Sequence, residues 1–305
     1  MSDNIAHAIS GAAGGMLSMA LTYPLITVST RNQVQRQNNE VDERAYKGQL
    51  DAFKRILKEE GIPGLYSGLN SALFGIAITQ GVYYYWYEKV KAIYEGKDKR
   101  AMSTLESMTS GAIAGVATSI FTNPIWVVNT RLTVKNEEKL AQTNARKKKT
   151  GLIAAILKIF KEEGIKGFYR GILPALILVS NPIIQYTVFE KLKEKLMKFK
   201  KELGATDFFI LGALSKLAAT SITFPYILIK SRMQLKQTEE ERYKSPVDGF
   251  RKIVKAEGVK GLYKGIESKL LQSVLTSALL FAFKEEFYQF AVTLLVLVGA
   301  RNKKI

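Results

Sequence analysis

Residues 24–31 read PLITVSTR, residues 124–131 read PIWVVNTR and residues 225–232 read PYILIKSR. Each stretch opens on proline and closes on arginine, and the prolines stand 100 and 101 residues apart. A second pattern follows each one: EGIPGLYSG at 60–68, EGIKGFYRG at 163–171 and EGVKGLYKG at 257–265. Two independent patterns on one shared period mark three tandem copies of a single unit.

Working outward, each copy reads alike. A Gly/Ala/Ser-rich apolar run leads into the proline pattern, at 5–31, 104–131 and 207–232. Small residues let helices approach closely in a bilayer, and Pro24, Pro124 and Pro225 sit inside helical runs that they are expected to kink. A polar stretch follows and holds a short amphipathic segment. In 50–58 this segment places Leu50, Phe53, Ile56 and Leu57 at helical spacing. Segments 152–160 and 247–254 repeat it, and all three are expected to lie along the membrane surface. A second apolar run then occupies about 69–87, 172–189 and 266–283. Each run is long enough to cross a ~30 Å hydrocarbon core at ~1.5 Å per residue. Only helices or closed barrels satisfy their backbone there, and the helical spacing excludes strands. The expectation is an all-α membrane protein with six transmembrane helices. They fall in three tandem pseudo-symmetric repeats, 1–100, 101–203 and 204–305, which form one integral domain around a central cavity. A soluble helical array is disfavoured because runs such as Ala72 to Tyr87 carry no charge.

Composition narrows the chemistry. The 305 residues include no cysteine and one histidine, His7, so thiol chemistry, a His-based triad and a poly-His metal site are excluded. No nucleophile–base pair or metal set is evident, so no catalytic residue, metal or cofactor is expected. The net charge of +18 suits nucleic acid, an anionic membrane surface or an anionic solute. Apolar spans argue against the first, since a nucleic-acid binder of this kind would be water-soluble. Basic residues crowd both alternate and consecutive connections, so the positive-inside rule assigns no orientation. The opening MSDNIAHAISGAAGG reads as neither signal nor transit peptide.

Lys216 stands nine residues before Pro225 in a run of apolar and small residues. A charge at membrane depth costs at least ~2.5–3.5 kcal/mol, so it faces a polar interior or snorkels to the interface. In the interior it would ligate phosphate or carboxylate. Lys269 and Gln272 are three apart near the start of the sixth run and share a face. Gln80 (with Thr79) in the second run, and Ser180, Asn181 and Gln185 in the fourth, are polar groups among apolar ones. They are either cargo contacts or interhelical hydrogen-bonding groups. The cluster Tyr83, Tyr84, Tyr85 and Trp86 either stacks a purine or packs in the interfacial belt. The basic runs 146–149 and 191–201 are solvated loops, sites for anionic headgroups at ~1 kcal/mol per charge, or an internal targeting signal. No role is read for the apolar tail 290–298.

The Pro-to-Arg ends of the odd helices and the Glu-Gly to Tyr-x-Gly segments before the even ones resemble the mitochondrial carrier family over nearly the whole chain. The resemblance implies a monomeric six-helix bundle with threefold pseudosymmetry and two gates that close alternately. Asn123-Pro124-Ile125-Trp126 with Thr130-Arg131 is similar to the branch carrying FAD, folate, NAD and pyrimidine nucleotides and to the peroxisomal carriers. So is Ser215-Lys216 ahead of Thr223-Phe224-Pro225-Tyr226. That branch implies exchange of adenine nucleotides (ATP, ADP, AMP) across the peroxisomal membrane. Its alternatives are FAD, NAD, CoA or folate as cargo, in the peroxisome or the mitochondrial inner membrane. A passive pore or a structural membrane protein is the alternative of another class. Membrane lipids, including anionic headgroups, are the remaining partners expected.

In the family, an acid two places after the proline and a base three places further on form a salt-bridge ring at one gate. Here the acid positions hold Ile26, Trp126 and Ile227, and the base positions hold Ser29, Asn129 and Lys230. The ring is missing except for Lys230, so weaker closure is expected, with apolar packing of Ile26, Trp126 and Ile227 as a substitute. The family's bracing glutamine is matched by Gln33 and Gln234 and replaced by Thr133. At the other gate, Glu88, Lys91, Glu190 and Lys193 fit an aromatic-acid-x-x-base pattern, while the third repeat has Lys284 where an acid is expected. Glu88 would then pair with Lys193, and Lys284 with Glu190. Membrane vesicles washed with alkaline carbonate are expected to retain the chain in the pellet, as six spanning helices require.

Overall fold

The computed structural model describes residues 2–35, 46, 48–96, 100–134, 152–200, 202–235, 243–282 and 293. The side chains of residues 2–13, 205, 277, 278 and 280–282 lie outside that description. So do Lys284, the basic run 146–149 and most of the 290–298 tail. The described residues form α1 (Ser2–Val34), α2 (Gln49–Glu60), α3 (Leu69–Glu95), α4 (Thr104–Val134) and α5 (Leu152–Phe168). They continue as α6 (Ile172–Met197), α7 (Ala205–Gln234), α8 (Pro246–Gly261) and α9 (Ile266–Ala282). Among them α4, α6 and nearly all of α7 are long and apolar enough by themselves to cross a membrane. α1 and α9 adjoin residues outside the description, and α3 carries Asn70, Gln80 and a tyrosine run that temper its apolarity.

The six long helices close into a ring. α3 packs on α4, α6 on α7, and α9 returns to pack on α1, so each repeat leans its even helix on the odd helix of the next. The odd helices α1, α4 and α7 also touch one another. The architecture is the all-α, threefold pseudosymmetric bundle that the period predicts.

The prolines are carried inside continuous helices. Proline removes one backbone donor and frees a carbonyl in the preceding turn. Two places before each proline stands a buried threonine that reaches back four residues. Thr22 Oγ1 donates to Ser18 O at 2.7 Å, Thr122 Oγ1 to Thr118 O at 2.8 Å, and Thr223 Oγ1 to Ala219 O at 2.8 Å. Such back-bonding holds the side chain against its own helix where the ladder is interrupted. The next residue ties the helix to its own repeat's loop. Tyr23 stacks on Tyr66, Phe224 stacks on Tyr263, and Asn123 Nδ2 donates to Phe168 O at 2.8 Å.

The surface helices α2, α5 and α8 lie against the proline ends. Ala52 and Ile56 pack with Val28 and Leu65, Ala155 and Ile159 with Val127 and Val128, and Ile253 with Phe224 and Leu228. The apolar stripe of α2 therefore divides. Ile56 turns inward while Leu50, Phe53 and Leu57 remain exposed, as a helix between protein and membrane surface requires.

The three arginines that close the proline patterns are the most demanding groups in the fold. Arg31 bonds Glu60 in bidentate fashion, Arg131 bonds Glu163 at 2.5 and 3.2 Å, and Arg232 bonds Glu257 at 2.5 and 3.0 Å. Each glutamate opens the Glu-Gly pattern of the same repeat. Each guanidinium also reaches the next repeat: Arg31 Nε donates to Thr133 O at 3.2 Å, Arg131 Nε to Gln234 O at 2.9 Å, and Arg232 Nε to Gln33 O at 2.8 Å. These carbonyls lie in the last turn of each odd helix, where the ladder leaves acceptors unpaired. Arg232→Ala leaves Glu257 buried without its cation and is expected to cost about 3–5 kcal/mol. Arg55→Ala, at a partly exposed ion pair on α2, is expected to cost about 0–1 kcal/mol. Thermal melts of the two purified variants against wild type check the contrast.

Candidate functional site

A cavity of about 750 Å³ lies between α6, α7 and α9. The helical repeat places its polar lining. On α7, Lys216 and Thr220 are one turn apart, and on α9, Lys269, Gln272, Ser273 and Thr276 share one face. Lys269 Nζ donates to Gln272 Oε1 at 3.0 Å, and Gln272 Nε2 donates to Thr276 Oγ1 at 3.1 Å. Thr276 Oγ1 lies 3.3 Å from Thr22 Oγ1 on α1, so the stripe crosses the seam between the third and first repeats. Phe208, Phe209, Leu217 and Val274 supply apolar wall. A lining that combines polar groups with aromatic and aliphatic surface suits a ligand with a charged end and an apolar body.

Four of the six expected cargo contacts, Lys216, Lys269, Gln272 and Asn181, line this cavity. Asn181 also joins helices: its Nδ2 donates to Thr223 Oγ1 at 2.6 Å and to Ala219 O at 3.4 Å. Gln80 and Ser180 are not brought to the cavity. Gln80 is exposed on α3, and the Ser180 hydroxyl donates to Ile177 O at 2.7 Å within its own helix. Thr79 instead accepts from Trp126 Nε1 at 3.2 Å. Thr220, Ser273 and Thr276 went unremarked in the sequence, although each lies four residues beyond Lys216, Lys269 or Gln272. Phe208 and Phe209 carried no signal at all. In the aromatic cluster, Tyr85 meets Trp86 edge-on, Trp86 stacks on Phe121 of α4, and Lys89 sits over the rings of Tyr85 and Trp86, so these residues serve packing.

The proline end is closed, and neutral hydrogen bonds do the work of the missing salt-bridge ring. Ser29 Oγ donates to Gly265 O at 3.1 Å, and Asn129 Nδ2 donates to Gly68 O at 2.9 Å and to Ser71 Oγ at 2.8 Å. Gln33 Nε2 donates to Ser29 Oγ at 2.9 Å, Ser231 Oγ to Gln33 Oε1 at 2.8 Å, and Thr130 Oγ1 to Gln234 Oε1 at 2.8 Å. Gln33 and Gln234 thus bridge adjacent repeats. Apolar substitution holds in part: Trp126 packs beside Gly75 of α3, whereas Ile227 lines the cavity. Gly68, Gly171 and Gly265 have φ of +88°, +75° and +87°, and a Cβ on Gly171 or Gly265 would lie 3.1 Å from the carbonyl of Lys230 or Ser29. Glycine is required there by conformation and by close approach. Just outside the sixth span, Lys264 donates to Gln35 O at 3.0 Å. Burial pushes its ammonium below the usual lysine range, and Glu257 draws it back up.

At the other end the printed ion pairs stay within single helices. Lys91 bonds Glu88 and Glu95 on its own helix, both at 3.8 Å, and Lys193 bonds Glu190 at 3.9 Å. The expected pairing of Glu88 with Lys193 is not formed. These groups are half-exposed, and where helix ends stand apart in water the nearest opposite charge lies one turn along the same helix. The proposed pairing of Glu190 with Lys284 involves a residue outside the description.

A ring of six spanning helices, hydrogen-bonded across its repeats at one end and cationic within, defines a membrane transporter. A family model described as mitochondrial carrier protein matches residues 2–98, 100–200 and 201–294. The chain is 41 % identical to mitochondrial substrate carrier family protein Q of Dictyostelium discoideum, over 99 % of this chain and 94 % of that protein. It is 36 % identical to the peroxisomal nicotinamide adenine dinucleotide carrier of Arabidopsis thaliana, over 97 % and 98 % of the two chains. It is 31 % identical to peroxisomal adenine nucleotide carrier 1 of Glycine max, over 93 % and 90 %. The chain belongs to the mitochondrial carrier family and is a transporter rather than an enzyme. Lys216→Ala is expected to insert normally and to lose most transport; liposome uptake measured beside the amount of inserted protein checks this, and unchanged uptake removes Lys216 from the site.

Proposed function

We propose that the protein exchanges adenine nucleotides, ATP against ADP or AMP, across the peroxisomal membrane. The observation that carries this reading is a cavity whose lining holds both lysines and aromatic rings. Phosphates suit Lys216 and Lys269, and an adenine ring suits Phe208 and Phe209. The volume of about 750 Å³ lies within the ~300–1,000 Å³ usual for small-ligand sites. Two relatives whose names give their cargo name an adenine nucleotide and an adenine dinucleotide, both in peroxisomes. The second of these favours NAD as the alternative cargo. A passive pore is opposed by the buried hydrogen-bonded seal at the proline end.

Alternating access requires that each gate open only when the other is shut. Here the neutral seal separates under the bound cargo while the half-exposed charges of the far end exchange partners within a helix for partners between helices. Purified protein in liposomes is expected to take up labelled ATP only when AMP, ADP or ATP is inside. Uptake independent of internal nucleotide overturns exchange, leakage of unrelated solutes indicates a pore, and uptake of labelled NAD alone selects the alternative.

A further inference from the structure

Lys230 occupies the position where the other two repeats place a hydrogen-bonded neutral group. Ser29 and Asn129 each donate to the glycine carbonyl of the preceding repeat. Lys230 meets Gly171 there through its backbone carbonyl and its stem instead. Its ammonium has no ion-pair or hydrogen-bond partner among the described residues, and the side chain is half-buried. It lies one turn beyond Ile227, which lines the cavity, so it extends along the same helix face. Lys216 on α7 and Lys269 on α9 line that same cavity. Among the described residues, no carboxylate pairs with any of the three.

Three ammonium groups held together without an acid are a costly arrangement unless an anion joins them. Water hydrates each charge, yet at half-buried positions it offsets their mutual repulsion only in part. A cargo with several adjacent negative charges does both. We infer that Lys230 is a cargo-binding cation, the third of a lysine cluster with Lys216 and Lys269 that selects anions of high charge. This deepens the nucleotide reading above by naming the polyphosphate as the group recognised. It also gives the closed proline end a role for the cargo, whose phosphates supply the negative charge that the gate itself lacks.

The test uses the full-length purified protein and inorganic tripolyphosphate, which carries a nucleotide's phosphate charge without its base. Tripolyphosphate is expected to raise the melting temperature of wild type and of Lys230→Arg, and to do so more than orthophosphate at equal concentration. In Lys230→Gln its apparent affinity is expected to fall roughly tenfold or more, the loss of one charge-assisted contact. Ile227→Asp, which sets a carboxylate one turn from Lys230, is expected to lose as much. Lys58→Gln on the surface helix α2 is expected to behave as wild type. Equal stabilisation of wild type and Lys230→Gln, or none of wild type, overturns the cluster. Tripolyphosphate binding through Lys230 in a protein that exchanges no ATP keeps the cluster and removes adenine nucleotides as the cargo. Exchange of ATP with tripolyphosphate binding unchanged in Lys230→Gln does the reverse.

Discussion

Three arginines, Arg31 and Arg232 fully buried and Arg131 largely so, hold the proline ends of α1, α4 and α7 together, and the rest of the bundle depends on how they are satisfied. A guanidinium taken out of water is a liability unless its donors are used. Arginine offers a planar fork for a carboxylate and a separate Nε–H pointing elsewhere. In each repeat the fork takes the Glu of the Glu-Gly pattern, and the Nε–H takes a carbonyl at the end of the next odd helix. Helix ends near a bilayer have few alternative donors for their last carbonyls. One residue type therefore solves two problems, anchoring the surface helix of its own repeat and the helix end of its neighbour. Because the third arginine reaches back to the first repeat, the set closes into a ring, and no single seam separates without exposing a buried acceptor.

The frame repeats, and the interior does not. Threonine before proline, the arginine, the Glu-Gly break and the left-handed glycine occur in every copy at equivalent positions. The polar lining of the cavity comes mainly from α7 and α9, both in the third copy. The seal shows the same unevenness: Ser29 and Asn129 make neutral bonds where Lys230 presents a charge. Positions that agree among the copies serve the fold, because each copy faces the same packing problem. Positions that differ are the ones free to serve a cargo, because an asymmetric solute needs unlike contacts around a pseudosymmetric ring.

The spans, the surface helices and the pairing of repeats were legible in the sequence, since they rest on periodicity and on the length a bilayer demands. Lys216, Lys269 and Gln272 were legible because a polar group in an apolar run must find a wet surface. Gln80 and Ser180 satisfied the same test and yet stand elsewhere. A helix apolar on nearly all faces does not reveal its rotation, because lipid and protein interior accept the same residues. The seal was hidden for a different reason: two of its acceptors are backbone carbonyls, those of Gly68 and Gly265, which leave no mark on residue type. Glu88 and Lys193 instead take partners on their own helices, a choice between near and far charges that no sequence pattern carries.

A neutral seal changes what controls the gate. A hydrogen bond exchanged for water contributes about 1 kcal/mol net, so a handful of them across three seams sums to a few kcal/mol. A barrier of that size lies within the differential binding energy of a multiply charged ligand, and only differential binding shifts a two-state equilibrium. A ring of ion pairs would hold the proline end shut by the protein's own charges. With serine, asparagine and glutamine in their place, the stronger electrostatic partner available to this end is the solute itself. The seams are also unequally furnished: between the second and third repeats Gln234 Nε2 is buried without a partner among the described residues, and Lys230 replaces a donor. The seam with the fewest bonds among the described residues therefore borders the cluster of positive charge, so this part of the seal is also the part that an anion in the cavity influences most directly.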